Sequence, residues 1–146
     1  MNTNCRVEYI PAKPSIKLSE IVYYYMITLV PFGRLTRYED ICNFIAKKFN
    51  VGNVEFERPF NLNNEYWYKF IDNVPFHRVV SAYGYTSHNF IDKLIDENFI
   101  FEQTNESNRG PKVKDYKKYL FDFEKEAQIN TEILNRINND KDFEIV

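Results

Sequence analysis

From Leu18 onward the apolar positions Leu18, Ile21, Val22, Tyr25 and Leu29 recur at helical spacing, and Pro31 with Gly33 predicts the end of that helix. Residues 1–17 carry Pro11 and Pro14 and no period, so an extended arm is expected there. Thr36-Arg37-Tyr38-Glu39 fits a capping box, in which the Thr36 hydroxyl accepts the Glu39 amide and Glu39 reaches back. A second helix is expected to follow, with Ile41, Cys42, Ile45 and Phe49 on its inner face and Gly52 just past its end. Val54 to Phe60, holding Pro59, reads as a connector. Leu62, Tyr66 and Phe70, with Trp67 and Ile71, predict a short third helix.

Val74 to Ser81 has no period, and β-branched Val79-Val80 predicts extended chain. Ser87 is placed to cap a fourth helix through Phe90, Ile91, Leu94 and Ile95. Phe99 to Gln103 and Val113 to Tyr116 predict two short strands around a polar, turn-rich stretch. Ile129, Ile133, Leu134 and Ile137 predict a final helix. The expected fold is mainly α with short β-strands. Helix, helix, short helix, then strands with a basic loop is the plan of a helix-turn-helix or winged-helix domain.

Composition narrows the chemistry. A chain of 146 residues predicts one domain, and 44% hydrophobic with 17% aromatic residues excludes a disordered one. Four glycines leave little from which to build a glycine-rich phosphate loop. Cys5 and Cys42 are far apart, and the two histidines, His77 and His88, form no zinc spacing with them. No metal or cofactor is therefore expected, while a disulfide stays open. The longest apolar run, Ile21 to Pro31, is interrupted by Thr28 and is too short to span a bilayer. With no signal-peptide pattern, the expected setting is cytoplasmic, or nuclear in a nucleated cell, without a membrane partner.

Charge changes the picture once it is divided. The total of 19 basic and 21 acidic residues gives -2, which argues against binding driven by the whole-molecule field. Yet Ser107 to Lys118 holds five bases (Arg109, Lys112, Lys114, Lys117, Lys118) against one acid, Asp115. Tyr119 to Val146 holds seven acids against three bases, so the chain before it carries +2. The basic stretch is placed either to touch phosphates or simply to keep a solvated hairpin soluble.

Three stretches together resemble a known family. Leu29 to Ile41 (LVPFGRLTRYEDI) is similar to the P-x-G-R-V-T-T-Y-G segment of the alkylguanine-DNA alkyltransferases. Asn73 to Val80 (NVPFHRVV) resembles their P-C-H-R-V active-site segment. Leu94 to Phe101, followed by Gly110, Val113 and Tyr119-Leu120-Phe121, resembles the ending of the alkyltransferase-like proteins, the family's non-enzymatic relatives. The resemblance implies a winged-helix DNA-binding domain over residues 18–123, between the arm (1–17) and an acidic C-terminal helical extension (124–146).

The departure that matters most is Phe76, which stands where the repair enzymes carry the alkyl-accepting cysteine. A thiolate attacks the alkyl carbon, and a phenyl ring has no such nucleophile. By the resemblance, His77 and Glu97 match the relay that activates the thiol, and Arg78 helps hold the site. Read from the residues alone, His77 is equally placed to bond Asn73 or a backbone carbonyl. Tyr38 matches the tyrosine that turns the nucleotide out of the duplex, a step needed because stacking hides the guanine oxygen. Its place in the first turn of a helix favours phosphate, with Thr36 and Arg37 as contacts beside it. Without the resemblance, Tyr38 would equally pack on the first helix. The family's intercalating arginine falls on Asn64, so Arg58 or one of Tyr66, Trp67 and Tyr68 is left to act as wedge, Trp67 being equally a core residue. The loop that closes over the flipped base is cut down to Ser81 to Ser87.

The resemblance implies a non-catalytic protein that binds double-stranded DNA and recognises oxygen-6-alkylated guanine, with Tyr38, Asn73, Phe76, His77, Arg78 and Glu97 around the base. Thr36, Arg37, Arg58, Asn64, Lys112 and Lys114 would meet the DNA. A repair or regulatory protein would be the further partner. The alternative is a winged-helix interaction module that keeps the scaffold without the pocket. The two readings separate on whether an alkylated duplex is preferred.

Overall fold

The computed structural model describes residues 13–57, 73–103, 110–127 and 135. Strand β1 (Ser15–Ser19) leads directly into helix α1 (Glu20–Thr28). The two-residue strand β2 (Thr36–Arg37) leads into α2 (Tyr38–Phe49), and strand β3 (Asn53–Glu57) follows. A 3₁₀ turn (Phe76–Arg78) runs into β4 (Val79–Val80), and another (His88–Phe90) into α3 (Ile91–Asp96). Strands β5 (Phe101–Glu102) and β6 (Lys112–Val113) form a hairpin, and a 3₁₀ turn (Tyr116–Tyr119) precedes the short helix α4 (Phe123–Glu126). No helix among the described residues is long and apolar enough to cross a membrane.

The strands pair in twos. β1 and β3 are parallel, with Ser15 opposite Asn53 and Ser19 opposite Glu57. β2 and β4 are parallel, with Thr36 opposite Val79 and Arg37 opposite Val80. β5 and β6 are antiparallel, with Phe101 opposite Val113. The chain at Leu35 also pairs with Leu120, through the Leu35 amide on the Tyr119 carbonyl (2.8 Å) and the Phe121 amide on the Leu35 carbonyl (2.7 Å).

Two apolar cores result. The larger joins α1, α2, β1 and β3 through Val22, Met26, Ile27, Ile41, Ile45, Val54 and Phe56, closed by Phe121 and Phe123. The smaller joins β2, β4, α3 and the hairpin through Leu35, Val80, Leu94, Phe99, Val113 and Tyr116. The expected inner face of α2 is the observed one: Ile41, Cys42 and Ile45 are buried, and Phe49 packs against the same core.

Several expectations change. The arm does not end at residue 17. Ser15–Ser19 is a strand, because β3 lies alongside it to take its hydrogen bonds, so Leu18 belongs to that strand and α1 starts at Glu20. The connector at Val54 is β3 for the same reason. Gly52 lies just past the end of α2, as expected, and Asn50 takes the left-handed cap (φ 52°). Gly52 lets the backbone approach Lys13, whose carbonyl would lie 2.8 Å from an added Cβ. Phe123, the last residue of the expected domain, is in the larger core, and Ala127 of the extension packs against it. Ser87 caps as expected, accepting the Asn89 amide at 3.2 Å. The third-helix expectation and the final helix around Ile129 to Ile137 fall on residues outside those described, except that Asn135 is helical.

Candidate nucleic-acid interface and its buried carboxylate

Glu97 sits at the C-cap of α3, just before Asn98 turns the chain with a left-handed φ of 70°. Its side chain is 4% exposed and points between two distant segments. The Gly33 amide donates to Oε1 at 2.7 Å. The Arg78 Nε donates to both oxygens, at 2.9 and 3.1 Å. The His77 Nε2 donates to Oε2. Arg78 Nη1 goes on to the Val30 carbonyl at 2.8 Å, and its guanidinium lies over the Phe32 ring.

Burial pushes the Glu97 carboxyl up, but the Gly33 amide, His77 and Arg78 outweigh it and hold the group below the usual carboxylate range. An ionised Glu97 accepts only, so the facing His77 nitrogen carries hydrogen. His77 therefore bonds neither Asn73 nor a backbone carbonyl through Nε2; the available partner is the carboxylate. Asn73 itself is exposed.

The three segments that carry the family resemblance meet at this carboxylate: Gly33 from the first, His77 and Arg78 from the second, Glu97 from the third. Phe76, the residue before His77, turns its ring edge-on to Tyr24 at 5.2 Å and packs against the larger core. Nothing in that ring can accept an alkyl group. Cys42 does not replace it: its thiol is buried on α2, and burial pushes its pKa up, away from the thiolate.

Tyr38 lies in the first turn of α2 and is 45% exposed. Its ring packs edge-on against Tyr23 of α1 (5.3 Å) and Phe56 of β3 (5.9 Å), as the packing reading expects, and stays partly exposed. Tyr23 touches Tyr24 (6.0 Å), and Tyr24 touches Phe76. An unbroken line of rings thus joins Tyr38 to Phe76.

The expected DNA contacts divide. Thr36 is fully buried and reaches no phosphate. Nor does it cap α2: Arg37 is the N-cap residue and makes no side-chain cap bond, while the Thr36 hydroxyl donates to the Arg37 carbonyl at 3.3 Å. Pairing with Val79 holds Thr36 inside a strand, which overrides the local capping signal. Arg37 is not a free cation. It forms a fork on Asp40 (2.8 and 2.9 Å) and touches the Ala82 carbonyl at 3.3 Å. Glu39 and Asp40 in the first turn also offset the helix dipole, so this helix end is a weaker seat for phosphate than its position implied. Lys112 pairs with Glu102 at 3.5 Å and lies over the Tyr85 and Tyr116 rings. Lys114 is exposed. Arg58 and Asn64 lie outside the described residues.

One cluster had no sequence expectation. Arg34 forms a fork on Glu126 (2.6 and 2.8 Å) and also donates to the Tyr119 and Leu120 carbonyls. Lys48 adds a bond to Glu124 at 3.0 Å. Arg34 stands in the quoted Gly-Arg motif, which was the available signal; Glu126 had none, being remote in sequence. Comparison with known proteins returned no matching family model, no matching curated protein and no matching solved structure.

Proposed function

We propose that this chain is a non-catalytic DNA-binding protein of the alkyltransferase-like type, which recognises oxygen-6-alkylated guanine turned out of the duplex. The observation that carries the reading is the convergence of Gly33, His77 and Arg78 on buried Glu97. Within it, His77 and Glu97 form the pair that the resemblance implies for a thiol-activating relay, with Arg78 beside them and a phenyl ring where the thiol would stand. Helices α1 and α2 with the β5–β6 hairpin are compatible with the winged-helix plan.

The test is binding of the full chain to one duplex with and without a single oxygen-6-methylguanine, at matched low salt. The alkylated duplex is expected to bind more tightly, with no alkyl label reaching the protein. Equal affinities would overturn the reading.

The interaction-module reading draws on two observations: Arg37 is held by Asp40, and Phe76 packs into the core against Tyr24. It expects no lesion preference and a stable self- or hetero-complex by light scattering.

A further inference from the structure

Arg34 is a partly exposed arginine whose guanidinium is aimed by the backbone around it. Its Nε donates to the Tyr119 carbonyl (3.2 Å) and its Nη2 to the Leu120 carbonyl (2.9 Å). Its central carbon lies 5.7 Å from the centre of the Phe121 ring. These contacts leave Nη1 and the second Nη2 hydrogen as a fork. That fork holds the Glu126 carboxylate, at 2.6 and 2.8 Å. Glu126 Oε2 also accepts the Asp122 amide at 2.8 Å.

Two features make the carboxylate replaceable. An arginine fork matches the oxygens of a phosphate as well as those of a carboxylate. The hold of Arg34 on the Tyr119 and Leu120 carbonyls does not involve Glu126, so the fork stays aimed when the carboxylate leaves. Glu126 is supplied by α4, which is only one turn long. The other carboxylate that α4 lends to the body of the protein, Glu124, bonds Lys48 at 3.0 Å. Both pairs are open to water, where salt and competing anions weaken them.

The surroundings favour an anion with repeated charge. Lys117 and Lys118 are exposed on the 3₁₀ turn that ends at Tyr119, the residue whose carbonyl holds Arg34. Lys125 is exposed on α4 itself. Of the acids close in sequence, Asp115 lies two residues before Lys117, and Asp122 turns its carboxylate onto the Glu124 and Lys125 amides. A nucleic-acid backbone can meet the fork and these lysines together, which a single carboxylate cannot do. The chain also needs such a contact. Of the cations and hydroxyls expected to meet phosphate, Thr36 is buried and Arg37 is forked onto Asp40 within its own helix end.

We propose that Arg34 is a phosphate-binding residue for the DNA backbone, and that Glu126 is its built-in competitor, seated where the phosphate would sit. The inference rests on the DNA-binding reading above. It adds a backbone contact, and a regulation of that contact, that neither the motifs nor the resemblance assigned. Because a phosphate carries no sequence information, the contact strengthens binding to altered and unaltered duplexes alike. Duplex binding has to displace the carboxylate first, so α4 lowers affinity for DNA in general and leaves any preference between duplexes unchanged.

The experiment measures binding of the full-length protein to a duplex with one oxygen-6-methylguanine and to the same duplex unmodified, over a salt series. The variants are Glu126→Gln, Arg34→Gln, the two combined, and Asp92→Asn, which removes an exposed acid from α3. Glu126→Gln is expected to tighten both duplexes about threefold at low salt, the scale of an exposed ion pair. It should also steepen the fall of log affinity with log salt by about 0.9, the mark of one more phosphate neutralised. Arg34→Gln should weaken both duplexes and abolish the gain from Glu126→Gln, while Asp92→Asn should change little. No gain in Glu126→Gln, an equal gain in the Arg34→Gln background, or an equal gain in Asp92→Asn overturns the proposal. Circular dichroism checks that each variant is folded. If Arg34→Gln is not, Glu126→Gln decides against the Asp92→Asn control, since it keeps the backbone bonds of Arg34. The ratio of the two duplexes tests the lesion reading separately. A ratio of one in wild type removes that reading, and a Glu126→Gln gain on the unmodified duplex then still supports the Arg34 role. Lesion preference without a Glu126→Gln gain does the reverse, and no duplex binding by any of the chains overturns both.

Discussion

Arg78–Glu97 and Arg34–Glu126 are both arginine–glutamate pairs that tie distant segments together, the first through Arg78 Nε alone and the second through a two-nitrogen fork, yet they sit in different surroundings. The side chains of the first pair are 16% and 4% exposed; those of the second are 30% and 36% exposed. In the first, a carboxylate out of water depends on every donor it has, and Arg78 in turn meets Glu97, the Val30 carbonyl and the face of the Phe32 ring. In the second, water stands ready to replace the partner, and salt screens the attraction. The same two groups therefore carry different weight. The buried pair is a condition of the local fold, while the exposed one is a fastening.

The largest expected effect follows directly. Glu97→Gln removes the negative charge and leaves the half-buried Arg78 facing a neutral side chain. Breaking a buried pair from one side costs about 3–5 kcal/mol. A loss near the lower end is expected, because the amide oxygen of Gln still accepts one donor. Urea unfolding followed by circular dichroism measures it. A loss no larger than that of an exposed pair would show that water reaches Glu97 and that the contrast between the two pairs is wrong.

How much of this was legible in the sequence depends on the reach of each signal. The inner face of α2 was legible because helical spacing is a local property, and Ile41, Cys42 and Ile45 are buried where it placed them. Ser87 was legible because a cap acts across two residues. β1 and β3 were not, since neither reads as a strand until the other lies beside it. Thr36 misled for the same reason: its motif is local, while the strand that buries it comes from Val79. At the site, the resemblance singled out His77, Arg78 and Glu97, and periodicity alone would have singled out none of them. The Gly33 amide was invisible, because a backbone donor leaves no mark in the residue type.

The acid limb of stability sharpens the comparison next. The folded Glu97 carboxyl titrates below its ordinary value of 4.5, so the unfolded chain takes up the proton first as pH falls. Its contribution is therefore complete above that ordinary value and is lost as pH drops through the lower folded value. Wild-type stability should fall on acidification below about pH 4.5, and the Glu97→Gln curve should be flatter over that window. Denaturant midpoints at a series of pH values provide the check, and parallel curves would count against an ionised, bonded Glu97.

Thr36 tests the same idea with a neutral group. As a helix cap it would tolerate Ser and suffer from Val. As a buried strand residue it should do the reverse. Its hydroxyl makes only a long bond to the adjacent carbonyl, whereas its methyl lies in a fully buried position. Thr36→Ser is expected to cost about 1 kcal/mol through the lost methyl. Thr36→Val should come close to neutral. The reverse order in unfolding experiments would restore the capping role.

The smallest effect belongs to the exposed pair. Arg34 and the Asp122 amide hold Glu126 below the usual carboxylate range, so it too contributes only above its ordinary value and loses that contribution in acid. Solvent competes for both partners, however, and Arg34 keeps its bonds to the Tyr119 and Leu120 carbonyls when Glu126 is neutral. Glu126→Gln should therefore change stability far less than Glu97→Gln, and the difference from wild type should fade as salt rises. Repeating both substitutions at low and high ionic strength separates the two cases. A Glu97 effect that faded as strongly with salt as the Glu126 effect would place both carboxylates in contact with solvent. Glu97 would then no longer be the buried point on which the three segments converge.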